Sequence, residues 1–231
     1  MLEVHKLQAW YDKSPVLHGV TLRLEAGEIV SLLGRNGAGR SSTLRSIMGQ
    51  LRCSGSIRFR GQEILGKQSF EIAQLGIGYV PESRDIFPSL TVRQNLQLGI
   101  QGRHATGPWN MQTVFALFPS LQARADVRGG ALSGGEQQML SLGRSLMGNP
   151  ALLMVDEPTE GLAPQLVQQV GAMLQHIASQ GVSILLVEQK LSIALPLSQR
   201  LYVMGRGEIV YEGNAHSLAQ AQEVRREWLE V

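Results

Sequence analysis

The sequence predicts an α/β fold with a mostly parallel β-sheet and a helical segment inserted into it. In two stretches, short apolar runs typical of buried strands alternate with segments of helical spacing. Between them, residues from about 85 to 150 show helical spacing alone. The chain has 231 residues, 43% of them hydrophobic, which is enough for one large domain with a sizeable core.

The N-terminal part begins with strand patterns. Residues 2–8 and 20–25 alternate apolar and polar side chains, as half-buried strands do. The apolar run 28–33 ends in glycine and predicts a buried strand. Residues 39–50 have apolar side chains at helical spacing and a glycine stop, so we expect a helix there. A further strand and turn are predicted at 55–64.

The rest of the chain supplies the insert and a second strand–helix alternation. Helices are predicted in the insert at 91–101, 109–118 and 134–148. Strands at 151–156 and 182–187, helices at 164–179 and 190–199, a hairpin at 200–213 and an exposed C-terminal helix at 223–231 should follow. We therefore expect one domain, 1–231, with a core formed by 1–84 and 151–231 and an insert at about 85–150.

Composition excludes several classes of protein. The net charge of +2 and the lack of a lysine–arginine run argue against nucleic acid as a partner. The single cysteine, Cys53, forms no internal disulfide and is read as a thiol in a reducing cytosol. No apolar run approaches the roughly 18–20 residues that span a bilayer, and the N-terminus lacks a signal-peptide pattern. We expect membrane association only through a partner.

The stretch LLGRNGAGRSS, residues 32–42, has the spacing of a phosphate-binding loop. Gly34, Gly39 and Ser41 match G-x-x-x-x-G-K-[ST], with a strand before the loop and a helix after it. Glycines let backbone N–H groups approach phosphate oxygens, and the helix start favours anions. Ser41 can give its hydroxyl to Mg²⁺. The segment therefore predicts nucleotide binding.

Arg40 stands where this motif has lysine. Arginine keeps the charge, but its planar fork is longer, bulkier and more weakly hydrated than an ammonium. The chain has 17 arginines against 4 lysines, so simple drift is one explanation of the replacement. We expect a working site with altered kinetics, and a non-catalytic site stays the alternative.

Two further segments carry site chemistry. The strand ALLMVDEP, 151–158, ends in Asp156, which can hold a metal, and Glu157, which can polarise an attacking water. Asp156 at a helix N-cap is the structural alternative. In LSGGEQQML, 132–140, Ser133 and Glu136 have capping-box spacing, yet the same helix start can face a second phosphate. That phosphate fits best in a dimer.

With these three motifs the chain resembles the ATP-binding-cassette ATPases over essentially its whole length. It is most similar to ATPase subunits of branched-chain amino acid importers, on the segments 76–96, 132–147, 156–164 and 185–190. The resemblance implies a P-loop NTPase core with a mostly parallel sheet, an N-terminal antiparallel β portion and an inserted helical subdomain. The bound molecules it implies are ATP and Mg²⁺.

The resemblance also implies roles for individual residues. The ATP-binding residues are Tyr11, Gly34, Arg35, Asn36, Gly37, Ala38, Gly39, Arg40, Ser41 and Ser42. The catalytic residues are Glu157, Gln189 and Glu82, and the metal ligands are Ser41, Glu82 and Asp156. Leu132, Ser133, Gly134, Gly135 and Glu136 form the signature that closes the partner's site, and Gly161 to Pro164 cross the dimer interface. Trp10 competes with Tyr11 for the adenine, and both can instead be core aromatics.

Three positions depart from the general family pattern. Glu82 and Gln189 replace the usual glutamine and histidine, and both fit the amino acid importer branch. Arg40 fits less well. Glutamine can donate a hydrogen bond to a phosphate but carries no charge.

The implied assembly pairs this chain with a second, non-identical cassette beneath two membrane permease subunits, at the cytoplasmic face of the inner membrane. A periplasmic solute-binding protein delivers the solute. The surface around Glu82, Phe87, Leu90 and the insert would contact the permease, although Phe87 and Leu90 can also be core residues. A urea or amide importer and a non-catalytic nucleotide-binding half remain the alternative functions.

Overall fold

Two β-sheets and ten α-helices make up the part of the chain that a computed structural model describes, residues 1–100 and 106–229. The strands are β1 Leu2–Tyr11, β2 Ser14–Leu24, β3 Ile29–Leu33, β4 Arg52–Phe59, β5 Gln62–Glu63, β6 Ile77–Val80, β7 Leu152–Asp156, β8 Ser183–Val187, β9 Arg200–Gly205 and β10 Glu208–Gly213. The helices are α1 Arg40–Ile47, α2 Ser69–Gln74, α3 Val92–Gln97, α4 Met111–Leu117, α5 Pro119–Ala123, α6 Gly134–Leu146, α7 Pro164–Ser179, α8 Leu191–Leu197, α9 Ala215–Gln220 and α10 Gln222–Trp228.

The larger sheet has the strand order β10-β9-β3-β8-β7-β6, and all neighbours are parallel except the β9–β10 hairpin. Every residue of β3, β7 and β8 is buried, because helices and a second sheet cover both faces. The smaller sheet, β2-β1-β4-β5, is antiparallel. The predicted α/β fold, with its parallel core and antiparallel N-terminal portion, is confirmed.

Strand alternation divides the core between the two faces of the larger sheet. Met154 of β7 packs with the smaller sheet and α1, whereas its neighbours Leu153 and Val155 pack with the helices α3 to α7. The motifs at the ends of β3 and β7 are therefore fixed to strands that are held from both sides.

Several elements differ from the prediction. The strand β6 and the helix α2 had no clear pattern, because both are short and β6 contains a glycine. In place of the helix expected at 91–101 the structure has α3, which ends at Gln97. Residue 101 of the expected helix lies outside the described part. Two of the residues in the expected C-terminal helix, 230 and 231, also lie outside it. Residues 223–228 belong to α10, which contains no fully buried residue.

Candidate nucleotide-binding site

Four predicted site segments meet at one edge of the larger sheet. They follow the carboxyl ends of β3, β6, β7 and β8, which lie together because these strands are parallel. A cleft of 760 Å³ opens there, lined by Pro15, Val16, His18, Asn36, Gly37, Ala38, Gly39, Arg40, Ser41, Ser42, Glu82, Glu157, Glu160, Gln189, Arg206 and Gly207.

The loop between β3 and α1 takes a conformation that requires glycine. Gly34 and Gly39 have φ of 152° and 105°. A Cβ on Gly34 would lie 2.6 Å from the carbonyl oxygen of Met204. Gly39 leads directly into α1, whose first N–H groups have no partner within the helix. These groups, in Arg40 to Ser42, belong to residues that line the cleft and suit an anion.

Arg40 is buried in the cleft wall, with 4% of its surface exposed. Its Nη2 donates to Oε1 of Glu157 at 2.6 Å and to Oδ1 of Asn36 at 3.2 Å. Nη1 is also buried and has no hydrogen-bond partner among the described residues. A buried donor without a partner is costly, so this position of the cleft favours an anion.

Asp156 lies at the end of β7 against α1. Its Oδ1 accepts from the Ser41 hydroxyl at 2.9 Å and its Oδ2 accepts from the Tyr79 hydroxyl at 3.3 Å. Burial raises the pKa of Asp156, with the charges of Glu157 and Glu82 adding, against the hydrogen bonds from Ser41 and Tyr79. Burial and the nearby Asp156 also raise the pKa of Tyr79.

Glu157 is held at φ 44°, a left-handed conformation that is uncommon for glutamate. Its backbone N–H donates to the carbonyl of Val187 at 2.9 Å, which attaches the backbone at Glu157 to the end of β8. Nε2 of Gln189 donates to Oε1 and Oε2 of Glu157 at 3.2 and 3.1 Å and also to Oδ1 of Asn36. The carboxylate therefore lies between a guanidinium and an amide.

Glu82 and Tyr11 lie at the margins of the cleft, whereas the predicted residue Arg35 lies outside its lining and donates from Nη2 to the backbone carbonyl of Arg226 at 3.2 Å. Glu82 is exposed and lines the cleft, and its charge acts on Asp156. Tyr11, 39% exposed, places its hydroxyl 3.5 Å from Oγ of Ser42 and is not part of the cleft lining itself. Trp10 is half-buried beneath the guanidinium of Arg52, 5.8 Å from the ring centre.

The signature segment Leu132–Glu136 lies outside this cleft. Ser133 is the N-cap of α6, and the capping box with Glu136 is present as predicted. The backbone N–H and the hydroxyl of Ser133 both donate to Oε2 of Glu136 at 2.8 Å, and Arg124 pairs with Oε1 at 3.1 Å. A Cβ on Gly135 would lie 2.6 Å from Cδ1 of Leu166, so a larger residue there would have to displace that side chain of α7.

Sequence reasoning missed three polar residues around the site. Tyr79 lies on the unpredicted strand β6. Thr159 and Glu188 are buried and hydrogen-bonded to each other. Both lie inside segments that were singled out for other residues, and nothing in their spacing marked them.

Two properties of the described residues bear on cofactors and membranes. No group of three or more His, Cys, Asp or Glu side chains is placed to hold a metal by itself. The oxygen donors Ser41, Asp156 and Glu82 nevertheless suit Mg²⁺, which commonly takes one or two carboxylates and completes its shell with substrate phosphates and water. No described helix is long and apolar enough to cross a membrane.

Known proteins resemble this chain along its whole length. Residues 17–160 match the family model described as ABC transporter. The high-affinity branched-chain amino acid transport ATP-binding protein BraG of Pseudomonas aeruginosa is 41% identical over 231 residues, 99% of each chain. A probable branched-chain amino acid transport ATP-binding protein, LivF of Archaeoglobus fulgidus, is 31% identical over 98% of this chain and 97% of its own. A solved ATP-binding cassette of an ABC transporter in its ADP conformation superposes with a TM-score of 0.83 at 25% identity, over 98% of this chain and 97% of that one.

Proposed function

The chain belongs to the ABC transporter family and is an ATP-hydrolysing cassette, and from this premise we propose that it powers the import of branched-chain or other hydrophobic amino acids. The observation that carries the hydrolytic role is the contact of Glu157 with both Arg40 and Gln189 in the cleft. The whole-length likeness to transport proteins for branched-chain amino acids supports the substrate class.

ATP would lie along the glycine loop, with its phosphates at the start of α1. Asn36 to Ser42 line the cleft, and backbone N–H groups of this loop would face the phosphates, while Nη1 of Arg40 would supply a buried positive charge. Tyr11 is proposed to stack on the adenine at the open end of the cleft. The arginine fork would hold phosphate oxygens in place of the lysine of the motif.

Mg²⁺ would be held by Ser41, Asp156 and Glu82. Ser41 and Asp156 are already joined by a 2.9 Å hydrogen bond, so their oxygens lie close enough to share one ion. When bound, Mg²⁺ neutralises charge that develops on the phosphates. Asp156 must be ionised for this role, and Tyr79 holds its second oxygen in place.

Hydrolysis requires Glu157 to change partners. Its carboxylate is paired with Arg40, and a γ-phosphate carries more charge than a carboxylate and competes for the same guanidinium. Arg40 then holds the phosphate, and Glu157 accepts a proton from the attacking water as the water oxygen bonds to the γ-phosphorus. The bond to the bridging β,γ-oxygen breaks, and Gln189 donates to a γ-phosphate oxygen.

The assembly is proposed to contain two membrane permease subunits and a second, non-identical cassette, on the cytoplasmic face of the inner membrane, with solute delivered by a periplasmic binding protein. The segment Leu132–Glu136 would complete the partner's nucleotide site, which fits its place outside this chain's own cleft. The helices α3 to α6 are proposed to form the inserted subdomain that contacts the permease. No nucleic acid takes part.

The test is ATP turnover by the complex of this chain with its co-purified cassette and permease partners in liposomes. Binding protein loaded with leucine should stimulate turnover, and the Glu157→Gln variant of this chain should lose the contribution of this chain's own site to the stimulated rate. Binding protein offered urea or acetamide is the matched control. Stimulation by those solutes instead of leucine would contradict the substrate class, and an unchanged Glu157→Gln rate would contradict the catalytic role.

A further inference from the structure

We propose that Glu188 is a positioning residue that locks Gln189 to the loop of residues 157–163, so that the two segments move as one unit. Glu188 is 2% exposed and has no assigned task in ATP hydrolysis. The inference rests on the proposed function, because it concerns how Gln189 and Glu157 are held.

One carboxylate oxygen of Glu188 fixes the backbone that follows it. Oε1 accepts from the backbone N–H of Gln189 at 3.0 Å and of Lys190 at 3.1 Å. These contacts set the direction in which Gln189 leaves the sheet, just before α8 begins at Leu191. The side chain of Gln189 then reaches both carboxylate oxygens of Glu157.

The other oxygen crosses to the loop after β7. Oε2 of Glu188 accepts from the hydroxyl of Thr159 at 2.8 Å, and Thr159 is fully buried. A second bond joins the same two segments, because Nζ of Lys190 donates to the carbonyl oxygen of Thr159 at 3.0 Å. Thr159 thus ties the 157–163 loop to Glu188 and Lys190, on either side of Gln189, in addition to the contact of Gln189 with Glu157.

The type of residue argues for positioning. A buried carboxylate is expensive to desolvate, and Glu188 makes no ion pair with any residue in the described part of the chain. Its charge is satisfied by one hydroxyl and two backbone N–H groups, all of which belong to the two loops. A carboxylate is suited to this place because its two oxygens can accept from both loops at once.

The joined unit faces in two directions. Glu157 and Gln189 line the nucleotide cleft, whereas Gly161 and Ala163 of the same loop are exposed and lie outside the cleft lining. A partner cassette that presses on the exposed side would therefore shift Thr159, and through Glu188 it would shift Gln189 relative to the γ-phosphate. Glu188 makes turnover depend on the docking of the partner and leaves the affinity for ATP unaffected.

The experiment compares Thr159→Val with Thr159→Ser in the complex of this chain and its partners. Valine has nearly the shape of threonine but lacks the hydroxyl, and serine keeps the hydroxyl. We expect Thr159→Val to lower kcat about tenfold or more with the Kd for mant-ATP within about twofold of the parent, and Thr159→Ser to retain the parent kcat. Glu188→Ala should also lower kcat, and adding Thr159→Val to it should lower kcat no further.

Each other outcome overturns the proposal. Turnover of Thr159→Val within twofold of the parent would show that the hydroxyl bond positions nothing. A loss of kcat shared equally by Thr159→Ser, or matched by a loss of mant-ATP affinity, would indicate general packing. Glu157→Gln, measured in the same preparation, separates a failure of the Glu188 proposal from a failure of the proposed function. If Glu157→Gln lowers turnover and Thr159→Val does not, the proposal for Glu188 is wrong and the proposed function stands. If Glu157→Gln has no effect, the proposed function is wrong as well.

Discussion

The nucleotide cleft and the signature segment are built in opposite ways. In the cleft, Arg40 contacts Glu157 and Ser41 contacts Asp156 across 117 and 115 positions of sequence, and a buried donor of Arg40 is left over. At the signature, Ser133 and Glu136 are three positions apart and satisfy each other. The cleft is therefore a site that the whole fold assembles and that still favours an anion. The hydrogen bonds of the signature are local to one helix start, to which the rest of the fold adds the ion pair of Glu136 with Arg124.

Among changes to the cleft and the signature segment, Glu157→Gln should have the largest effect on turnover. The amide keeps the shape of the side chain but cannot accept a proton from water at neutral pH. We expect turnover at this chain's own site to fall at least about 100-fold, as for the loss of a positioned general base. ATP should stay bound, which single-turnover and filter-binding measurements would establish. Retained turnover would remove Glu157 from the reaction.

Arg40→Ala tests the leftover donor. Hydrogen bonds to charged groups contribute about 1.5–3 kcal/mol, so the Kd for ATP should rise roughly 10- to 150-fold. Arg40→Lys is the matched control, because it keeps the charge and should stay within a few-fold of the parent. Isothermal titration calorimetry gives both values. Equal affinity of the alanine variant would mean that the loop backbone and the helix start suffice.

Ser41→Ala breaks the contact between α1 and β7. The variant keeps the glycine loop but loses the hydroxyl that lies 2.9 Å from Asp156. We expect the Mg²⁺ concentration for half-maximal turnover to rise about tenfold, or about 1.4 kcal/mol, while ATP affinity without Mg²⁺ is unchanged. A Mg²⁺ titration at fixed ATP measures this. Ser42→Ala, one position along, is the control and should leave the Mg²⁺ requirement unaltered.

Ser133→Ala should have the smallest effect on this chain, and it tests whether the signature segment is independent of the cleft. Loss of the N-cap should lower the free energy of unfolding by about 1 kcal/mol, which urea denaturation resolves. The ATP affinity of the isolated chain should not change, because Ser133 does not line its cleft. Turnover by the partner's site in the complex should fall. Weaker ATP binding by the isolated chain would show that the two regions are coupled within one subunit.

The features that could be predicted from the sequence are those that depend on residues close to each other along the chain. The glycine loop, the capping box at Ser133 and the buried strands β3 and β7 follow from local spacing, and the structure has them where they were expected. The missed features depend on the order of strands in the sheet. Tyr79 meets Asp156 only because β6 and β7 are adjacent, and Glu188 meets Thr159 only because the ends of β7 and β8 are. The spacing of apolar residues along the chain does not indicate which strands are neighbours in the sheet.

The long-range assembly of the cleft also has a consequence for synthesis of the protein. Arg40 emerges from the ribosome well before Glu157, and Gln189 comes 32 positions later still. Arg206 and Gly207 also line the cleft, so at about 5–20 residues per second its chain is complete only about 8–33 s after the glycine loop has been made. ATP can stabilise the chain only from that moment, so the early β-strands must be kept from aggregating by their own rapid pairing or by chaperones.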